Sequence, residues 1–542
     1  MAKLQPLPQP KKTKPKPQAT PLNTTIEIFP IVVFCFINRA ILWWLASSIS
    51  LHLPHDPWRR TWNWGSSPLP PQTYRVLPAA PSIDQMPLVR KILPFLIIVG
   101  SLSGATPNVV IIMGDDWSWP HASILGDKTV KTPNFDRIAR EGVLFEYAFT
   151  PAPSCTPSRH AVVSGQYHWR LGEGVNLGGS IPKKTSVYPD FLAQRGYQTG
   201  FCRKGTSPSK LTFRGNDPFG KRFKNFNEFI GHIDPAAPFC FWYGAGEPHR
   251  PYKWQGSLKS SLDLTSIEVP SYLPNNETIR TDLGDYYLKV QKLDELAGQI
   301  LQKLTDLREL ENTIVIMTGD NGMPFPRAKA TLYDSGTRVP LAIRWGKNIP
   351  PGRSISDFVS LTDLAPTILE ACGLPSPDSM TGRSLLPLLI SEKSGLIDSS
   401  RDFVLTGMER HVYPNPSRAL RTKDYLYIIN YDPAEWPTGL VSNKKPIYDF
   451  LKSPWPTEKG AFSYNIDPSP SKQWMRHHSS PQNSYSFQKR PSEELYDLKK
   501  DPHQLLNLLL NEKRPPEIET IRRTLNKRLS RLLRESRDPR TP

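Results

Sequence analysis

The chain has 542 residues, enough to bury a large core and more than a single domain usually needs. Its five cysteines, at 35, 155, 202, 240 and 372, form neither CxxC pairs nor a dense framework, which excludes a disulfide-stapled scaffold. The net charge of +18 suits either a polyanionic partner or a basic soluble enzyme, and no motif points to nucleic acid.

Residues 1–85 hold nine Lys or Arg against three Asp or Glu, so six of the excess positive charges belong to that segment. Residues 1–23, rich in Pro, Lys and Gln, cannot bury enough apolar surface to fold and are expected to be disordered. The apolar stretch 28–46 is interrupted by Asn38-Arg39, and a charge there costs about 2.5 to 3.5 kcal/mol in a membrane, which disfavours a span. A better targeting signal begins at Met86. Arg90-Lys91, the apolar run 92–99 and Ser103-Gly104-Ala105 have the order of a secretory signal peptide in an internal position. Met86 is therefore the expected start, residues 1–85 an upstream extension, and the product is expected to be exported: periplasmic, secreted, at the cell surface, or lysosomal in a eukaryote.

Val109-Val110-Ile111-Ile112-Met113, closed by Gly114-Asp115-Asp116, predicts a strand buried on both faces. Thr132-Pro133 opens a helix with Phe135, Ile138 and Ala139 as its apolar stripe and Gly142 as its end. Val143-Leu144-Phe145 then leads to Cys155-Thr156-Pro157-Ser158-Arg159. Residues 158–165 read as the first turns of a helix behind Cys155, a place where anions are stabilised. A strand over 197–201 delivers Arg203-Lys204-Gly205, and one over 239–243 delivers Glu247-Pro248-His249-Arg250-Pro251. A long amphipathic helix is expected over 281–310, with Leu283, Tyr287, Val290, Leu293, Ala297, Ile300, Leu301 and Leu304 on one face. Ile314-Val315-Ile316-Met317 follows, closed by Thr318-Gly319-Asp320-Asn321. This alternation of strand and helix defines a doubly wound α/β domain over 106–395. It includes a helix at 361–372 stopped by Gly373. Strands at 403–405 and 425–431 and a basic amphipathic helix at 516–534 belong to a smaller α+β subdomain, 396–542, with an antiparallel sheet. Residues 432–492, rich in Pro, Ser and Trp, give no readable conformation.

Both apolar runs place hard oxygen ligands just past the carboxyl end of a strand, where open α/β sheets build their sites. Asp115, Asp116, Asp320 and Asn321 would repel one another there without a divalent cation among them. Either run alone also reads as an ordinary strand-ending turn. The two together with Cys155 favour a metal site.

Cys-x-Pro-Ser-Arg, an upstream Asp-Asp and a downstream Asp-Asn-Gly together resemble the type I sulfatases, from about residue 107 to about 507. Glu494-Leu495-Tyr496-Asp497-Leu498 with Asp501-Pro502 resembles their C-terminal signature. The resemblance implies an alkaline-phosphatase-like sandwich, with a large mixed, mostly parallel sheet between helices. It also implies that Cys155 is oxidised by a formylglycine-generating or other sulfatase-maturing enzyme to Cα-formylglycine, whose hydrate attacks sulfur. With Cys155 modified and Cys35 removed, three cysteines remain and at most one disulfide is possible. By the same resemblance Asp115, Asp116, Asp320, Asn321 and residue 155 bind Ca²⁺, or alternatively Mg²⁺. Arg159 holds the hydrate and helps stabilise negative charge, Lys204 matches the family's sulfate-binding lysine and Lys329 its catalytic basic residue following Asp-Asn-Gly, and His249 is the general acid, imidazole being the group that titrates near neutral pH. Many relatives have a histidine two residues after the lysine that matches Lys204; this chain has Thr206.

Asp320-Asn321-Gly322-Met323-Pro324-Phe325-Pro326, with Thr331-Leu332-Tyr333 and Asn415-Pro416-Ser417-Arg418, is most similar to the heparan N-sulfatases. That implies cleavage of N-linked sulfate from glucosamine in a sulfated glycan, with Glu409, Arg410, His411 and Arg418 placed to reach the sugar. An O-sulfatase acting on another sulfated polysaccharide remains the alternative. A phosphoester hydrolase of the same superfamily is disfavoured because those enzymes use Ser or Thr as nucleophile, and a glycan-binding pseudo-sulfatase because the set of ligands is intact.

Overall fold

The computed structural model describes residues 106–209, 215–433, 465–511 and 513–541, all within the compact unit Ile83–Pro542. The expected extension 1–85, the signal-type segment 86–105 and residues 434–464 of the unreadable stretch lie outside the described residues.

The first apolar run forms β1 (Asn108–Gly114) in the middle of an eight-stranded sheet. The other strands are β2 (Val143–Phe149), β3 (Gln198–Arg203), β4 (Lys221–Phe223), β5 (Phe239–Gly244), β6 (Thr313–Gly319), β7 (Leu341–Arg344) and β8 (Arg353–Ser360), in the order β4-β3-β5-β1-β6-β7-β2-β8. Helices α1 (Pro133–Arg140), α2 (Cys155–Ser164), α3 (Tyr188–Gln194), α4 (Glu277–Asp306) and α5 (Leu364–Ala371) pack on it. Alternate residues of a strand face opposite sides. Val109, Ile111 and Met113 meet apolar residues of α2, α3 and α5, while Val110 and Ile112 meet those of α1 and α4. Each such side chain contributes about 1.5 to 3 kcal/mol by leaving water. This is why the run is apolar without alternation.

All pairings in this sheet are parallel except those of β7, which runs antiparallel to β6 and β2. No long crossover helix separates β6 from β7, so the chain returns directly through a loop, 320–340, and comes back the other way. That loop carries Asp320, Asn321 and Lys329.

The long helix begins four residues before the expected start, because the Asn276 side chain accepts from the Ile279 N–H and caps it there. It ends at Asp306, short of the left-handed residue Arg308 (φ 61°). All eight residues of the expected face are buried.

The second sheet contains β9 (Phe403–Arg410), β10 (Pro414–Thr422), β11 (Tyr425–Asn430) and β12 (Glu493–Asp497), antiparallel in the order β12-β11-β10-β9. The sequence reading missed β10, whose inward-facing Arg418 and Arg421 disguise a buried strand as a polar one. Helix α7 (Pro516–Glu535) completes this part, while α6 (Pro470–His477) returns to pack on α4. Leu525, Leu529 and Leu533 of α7 cover one face of the sheet, and the other packs on Ala330, Leu332 and Tyr333 of the 320–340 loop. Among the described residues no helix is long and apolar enough to cross a membrane, and Cys155, Cys202, Cys240 and Cys372 are all unpaired.

Candidate active site

The ends of β1 and β6 meet because Gly319 has no side chain: a Cβ there would fall 2.2 Å from the Trp117 carbonyl oxygen. The close approach lets the Asp116 N–H donate to Asp320 Oδ1 at 2.9 Å, and the Asp320 N–H to the Gly114 carbonyl at 3.0 Å. Asp116 takes a left-handed backbone (φ 71°), a conformation that a non-glycine residue adopts only when its surroundings hold it there. Asp115, Asp116 and Asp320 are buried and offer oxygens that lie, with Cys155 Sγ, within 4.8 Å of one another.

Cys155 is the first residue of α2, three residues earlier than the sequence suggested, and Ser154 is its N-cap. The side chain therefore sits at the positive end of a ten-residue helix that is buried along its whole length. Sγ is 3.9 Å from Asp116 Oδ1. Burial pushes the thiol well above its ordinary range, against the pull of Lys204 and Lys329. An unmodified Cys155 is thus a neutral thiol, a poor nucleophile.

Cations enclose the carboxylates. Arg159, fully buried, donates from Nε to Asp320 at 2.8 Å and from Nη1 to the Lys204 and Gly205 carbonyls. Lys204 reaches Asp115 at 2.5 Å, and Lys329 reaches Asp116 at 2.8 Å. The Lys329 loop is tied to the turn before Cys155 by a 2.9 Å hydrogen bond from the Ala330 N–H to the Pro153 carbonyl. Burial would raise the Asp115 carboxyl, but Lys204, His249 and Arg159 outweigh it and hold Asp115 far below the usual carboxylate range. Asp320 is pushed the other way, up to about 6, by burial, against Arg159 and with Asp115 adding to the rise.

His249 stands at the rim, its side chain 27% exposed. Nδ1 lies 2.5 Å from the Arg250 carbonyl, an acceptor only, so Nδ1 carries the hydrogen. Nε2 then faces the cluster, 3.7 Å from Asp116 Oδ2. The Arg250 side chain anchors this turn through a bidentate pair with Asp282, both arms 2.8 Å, and lies over Phe325 with its Nε donating to the Pro324 carbonyl. The Pro-Phe-Pro segment thus supports the histidine turn.

Among the residues expected to reach the sugar, the structure keeps only His411 beside the cluster, its Nδ1 2.8 Å from Ser154 Oγ. Burial, with Lys329 next, lowers its pKa to about 3. Arg418 is corrected to an internal residue: it is completely buried, and its guanidinium is shared by Asp538 and Glu409. Glu409 is engaged by Arg418 and Arg540, while Arg410 is exposed at the end of β9. Thr206 is buried and donates its N–H and hydroxyl to Asp217, so it braces a loop.

Sequence reasoning missed Asp467, which lies 3.2 Å from Lys329 and groups with Asp116 and His249. It comes from the stretch without periodicity, where no local pattern could reveal it. Two orphaned atoms complete the site. Asn321 donates its amide to Asp116 and to the Gly322 carbonyl, which leaves Oδ1 buried without a donor, and Arg159 Nη2 is buried without a hydrogen-bond acceptor. Such groups call for partners. The donor set of three carboxylates and an amide oxygen fits a hard divalent cation at Asn321 Oδ1 and an oxyanion at Arg159 Nη2.

Residues 107–374 match the family model "Sulfatase", and residues 327–442 match the model "N-sulphoglucosamine sulphohydrolase, C-terminal". The chain belongs to the sulfatase family and is a hydrolase of that family, with the alkaline-phosphatase-like fold. An ulvan-active sulfatase of Formosa agariphila is 25% identical over 472 residues, spanning 78% of this chain and 75% of its own. N-sulphoglucosamine sulphohydrolase of Homo sapiens is 26% identical over 515 residues, spanning 82% and 93%. A solved structure in complex with its substrate D-glucosamine-2-N,6-O-disulfate superposes with a TM-score of 0.58 at 20% identity, over 80% of this chain and 98% of that one. Phosphonate monoester hydrolase of Agrobacterium radiobacter shares the fold at a TM-score of 0.55 and 15% identity, over 79% and 96%.

Proposed function

We propose that this chain hydrolyses sulfate from a sulfated glycan, with N-linked sulfate of glucosamine as its substrate group. The observation that carries the reading is the pair of orphaned atoms, Asn321 Oδ1 and Arg159 Nη2, beside residue 155 at a helix N-terminus. Four carboxylates, Asp115, Asp116, Asp320 and Asp467, face three permanent cations, Arg159, Lys204 and Lys329. A divalent cation turns that balance from one negative charge to one positive, which complements a sulfate monoanion. The metal is Ca²⁺, with Mg²⁺ as runner-up, held by Asp115, Asp116, Asp320 and Asn321; it would neutralise sulfate oxygens. Oxidation of Cys155 to Cα-formylglycine by a maturing enzyme would supply the nucleophilic hydrate. Around it, Lys204 and Lys329 bind the sulfate, Arg159 stabilises developing negative charge, and His249, as the imidazolium whose Nδ1–H is held by the Arg250 carbonyl, delivers its Nε2 proton to the leaving group. The signal-type segment 86–105 supports export, and a mature N-terminus mapped before Met86 would reject it.

The match of residues 327–442 and the human relative support an N-sulfate substrate. The ulvan-active relatives and Thr206 support the second reading, an O-sulfatase on another sulfated polysaccharide. A panel of sulfated sugars separates the two. The expected result is sulfate release from non-reducing-end N-sulfoglucosamine in preference to 3-O-, 6-O- or galactose-sulfates, from protein in which the residue 155 peptide shows the mass loss of thiol-to-aldehyde conversion. Release from an O-sulfated sugar alone discards the N-sulfate assignment.

A further inference from the structure

A pocket of about 280 Å³ lies between the 320–340 loop and the second sheet, and no residue of the Cys155 cluster lines it. Trp119, Tyr147, Arg338, Arg421, Lys423 and Lys499 wall it, with Asp334 and Asp424 as the only carboxylates. Both carboxylates are already engaged. Asp334 accepts a bidentate pair from Arg421 at 2.9 and 2.8 Å, and Asp424 is 3.0 Å from Lys499. Arg338 and Lys423 therefore have no carboxylate ion pair among the described residues.

Arg338 is the decisive side chain. It is 9% exposed, and its guanidinium lies between Trp119, 3.6 Å from the ring centroid, and Tyr147, at 4.7 Å. Nε and Nη2 both donate to the Glu146 carbonyl, and the Glu146 carboxylate is turned away to Ser354. Nη1 has no acceptor among the described residues. A nearly buried guanidinium whose opposing carboxylate, Asp334, is already held by Arg421 gains from an anion that joins it. Burial pulls Arg338 down to about 10, with Asp334 opposing and Arg421 adding to the fall. A planar fork flanked by aromatic faces suits an oxyanion. Trp119 and Asp334 also wall an adjoining cavity of about 520 Å³, where Tyr272 and His503 offer ring faces and Asp127 and Glu268 offer acceptors for hydroxyl groups. That combination suits a sugar ring.

We propose that this pocket is a second, non-hydrolytic binding site for a sulfate group carried on a sugar, with the sulfate against Arg338 and Lys423 and the ring directed into the adjoining cavity. The pocket is tied to the Cys155 site along the chain: Trp119 lies three residues beyond Asp116, and Asp334 five beyond Lys329. One glycan chain can then be held by one sulfate while another is cleaved.

The test uses the full chain with Cys155→Ala, so that no probe is consumed, and calorimetric titration with three probes: a monosulfated glucosamine-containing disaccharide, whose single sulfate fills one site at a time, its desulfated counterpart and inorganic sulfate. Two sites are expected for the sulfated disaccharide. Lys423→Glu, an exposed change with no buried partner to disturb, and Arg338→Gln should each weaken one of them about tenfold or more, the size of one lost charged contact. In active protein, Lys423→Glu should leave turnover of a small aryl sulfate unchanged while raising KM on long sulfated chains. The proposal is overturned by a single site, by binding that Lys423→Glu does not alter, or by equal affinity for the desulfated sugar or for free sulfate. These are binding measurements, so they decide this site even if the Cys155 site fails to hydrolyse any sulfate.

Discussion

Asp467 lies 3.2 Å from Lys329, which on its other side holds Asp116 at 2.8 Å. A carboxylate from the irregular stretch before α6 thereby sets the position of a buried lysine in the 320–340 loop. Burial would raise the Asp467 carboxyl, but Lys329 and His249 outweigh it and depress it below the ordinary range. Asp467→Asn keeps the shape and removes the charge that holds Lys329 outward from Asp116. Partners of this kind are worth roughly 10- to 100-fold in activity. We expect kcat/KM on the sulfated sugar to fall by that amount with the fold preserved by circular dichroism, and an unchanged kcat/KM would remove Asp467 from the site.

The Arg250–Asp282 pair is buried, and Ser471 of α6 also donates to Asp282, at 2.6 Å. Removing one member of a buried pair leaves the other charge unpaired and costs about 3 to 5 kcal/mol. Asp282→Asn should lower the urea midpoint accordingly and loosen the turn that aims His249. If His249 is the proton donor, activity on an N-sulfate, whose amine must be protonated to leave, should fall further than on an activated aryl sulfate. Equal losses on the two substrates would take His249 out of that role.

Chelation should inactivate the protein and lower its melting temperature, because Asp115, Asp116, Asp320 and Asn321 are left without the cation their oxygens face. Ca²⁺ at 100 times its Kd should restore about 2.7 kcal/mol of stability. Recovery with Mg²⁺ but not Ca²⁺ would change the metal, and activity that survives demonstrated metal removal would reject the metal site.

His160, in the helix behind Cys155, is buried, with Nδ1 3.0 Å from the Gly174 carbonyl. Burial lowers its pKa from 6.5 to about 4, the Gly174 contact opposing the fall. The folded-state value lies below the unfolded one, so between these values the unfolded chain binds the extra proton. Stability present above about pH 6.5 should therefore be lost as the pH falls toward 4. In His160→Gln the loss over that window should be shallower, measured by urea denaturation at half-unit steps. An identical slope in the variant would show that His160 is not held neutral.

The sequence by itself determined the central strands β1 and β6, the ligands at their ends and the class of chemistry, because these are local: an apolar run buried on both faces must be a central strand, and whatever follows it is carried to the sheet's edge by chain continuity. Asp115, Asp116, Asp320 and Asn321 were legible for that reason, and so was Cys155 as part of a contiguous motif. Only the tertiary structure decided which distant charges meet. Arg418 has the chemistry of a sugar-binding residue, yet its depth and its pairing with Asp538, 120 positions away, make it an internal support. Asp467, 138 positions from Lys329, belongs to the site although nothing near it in the chain announces this. The choice between a structural and a functional ion pair is made by burial and by which elements pack against each other, and neither is a periodic property of the chain.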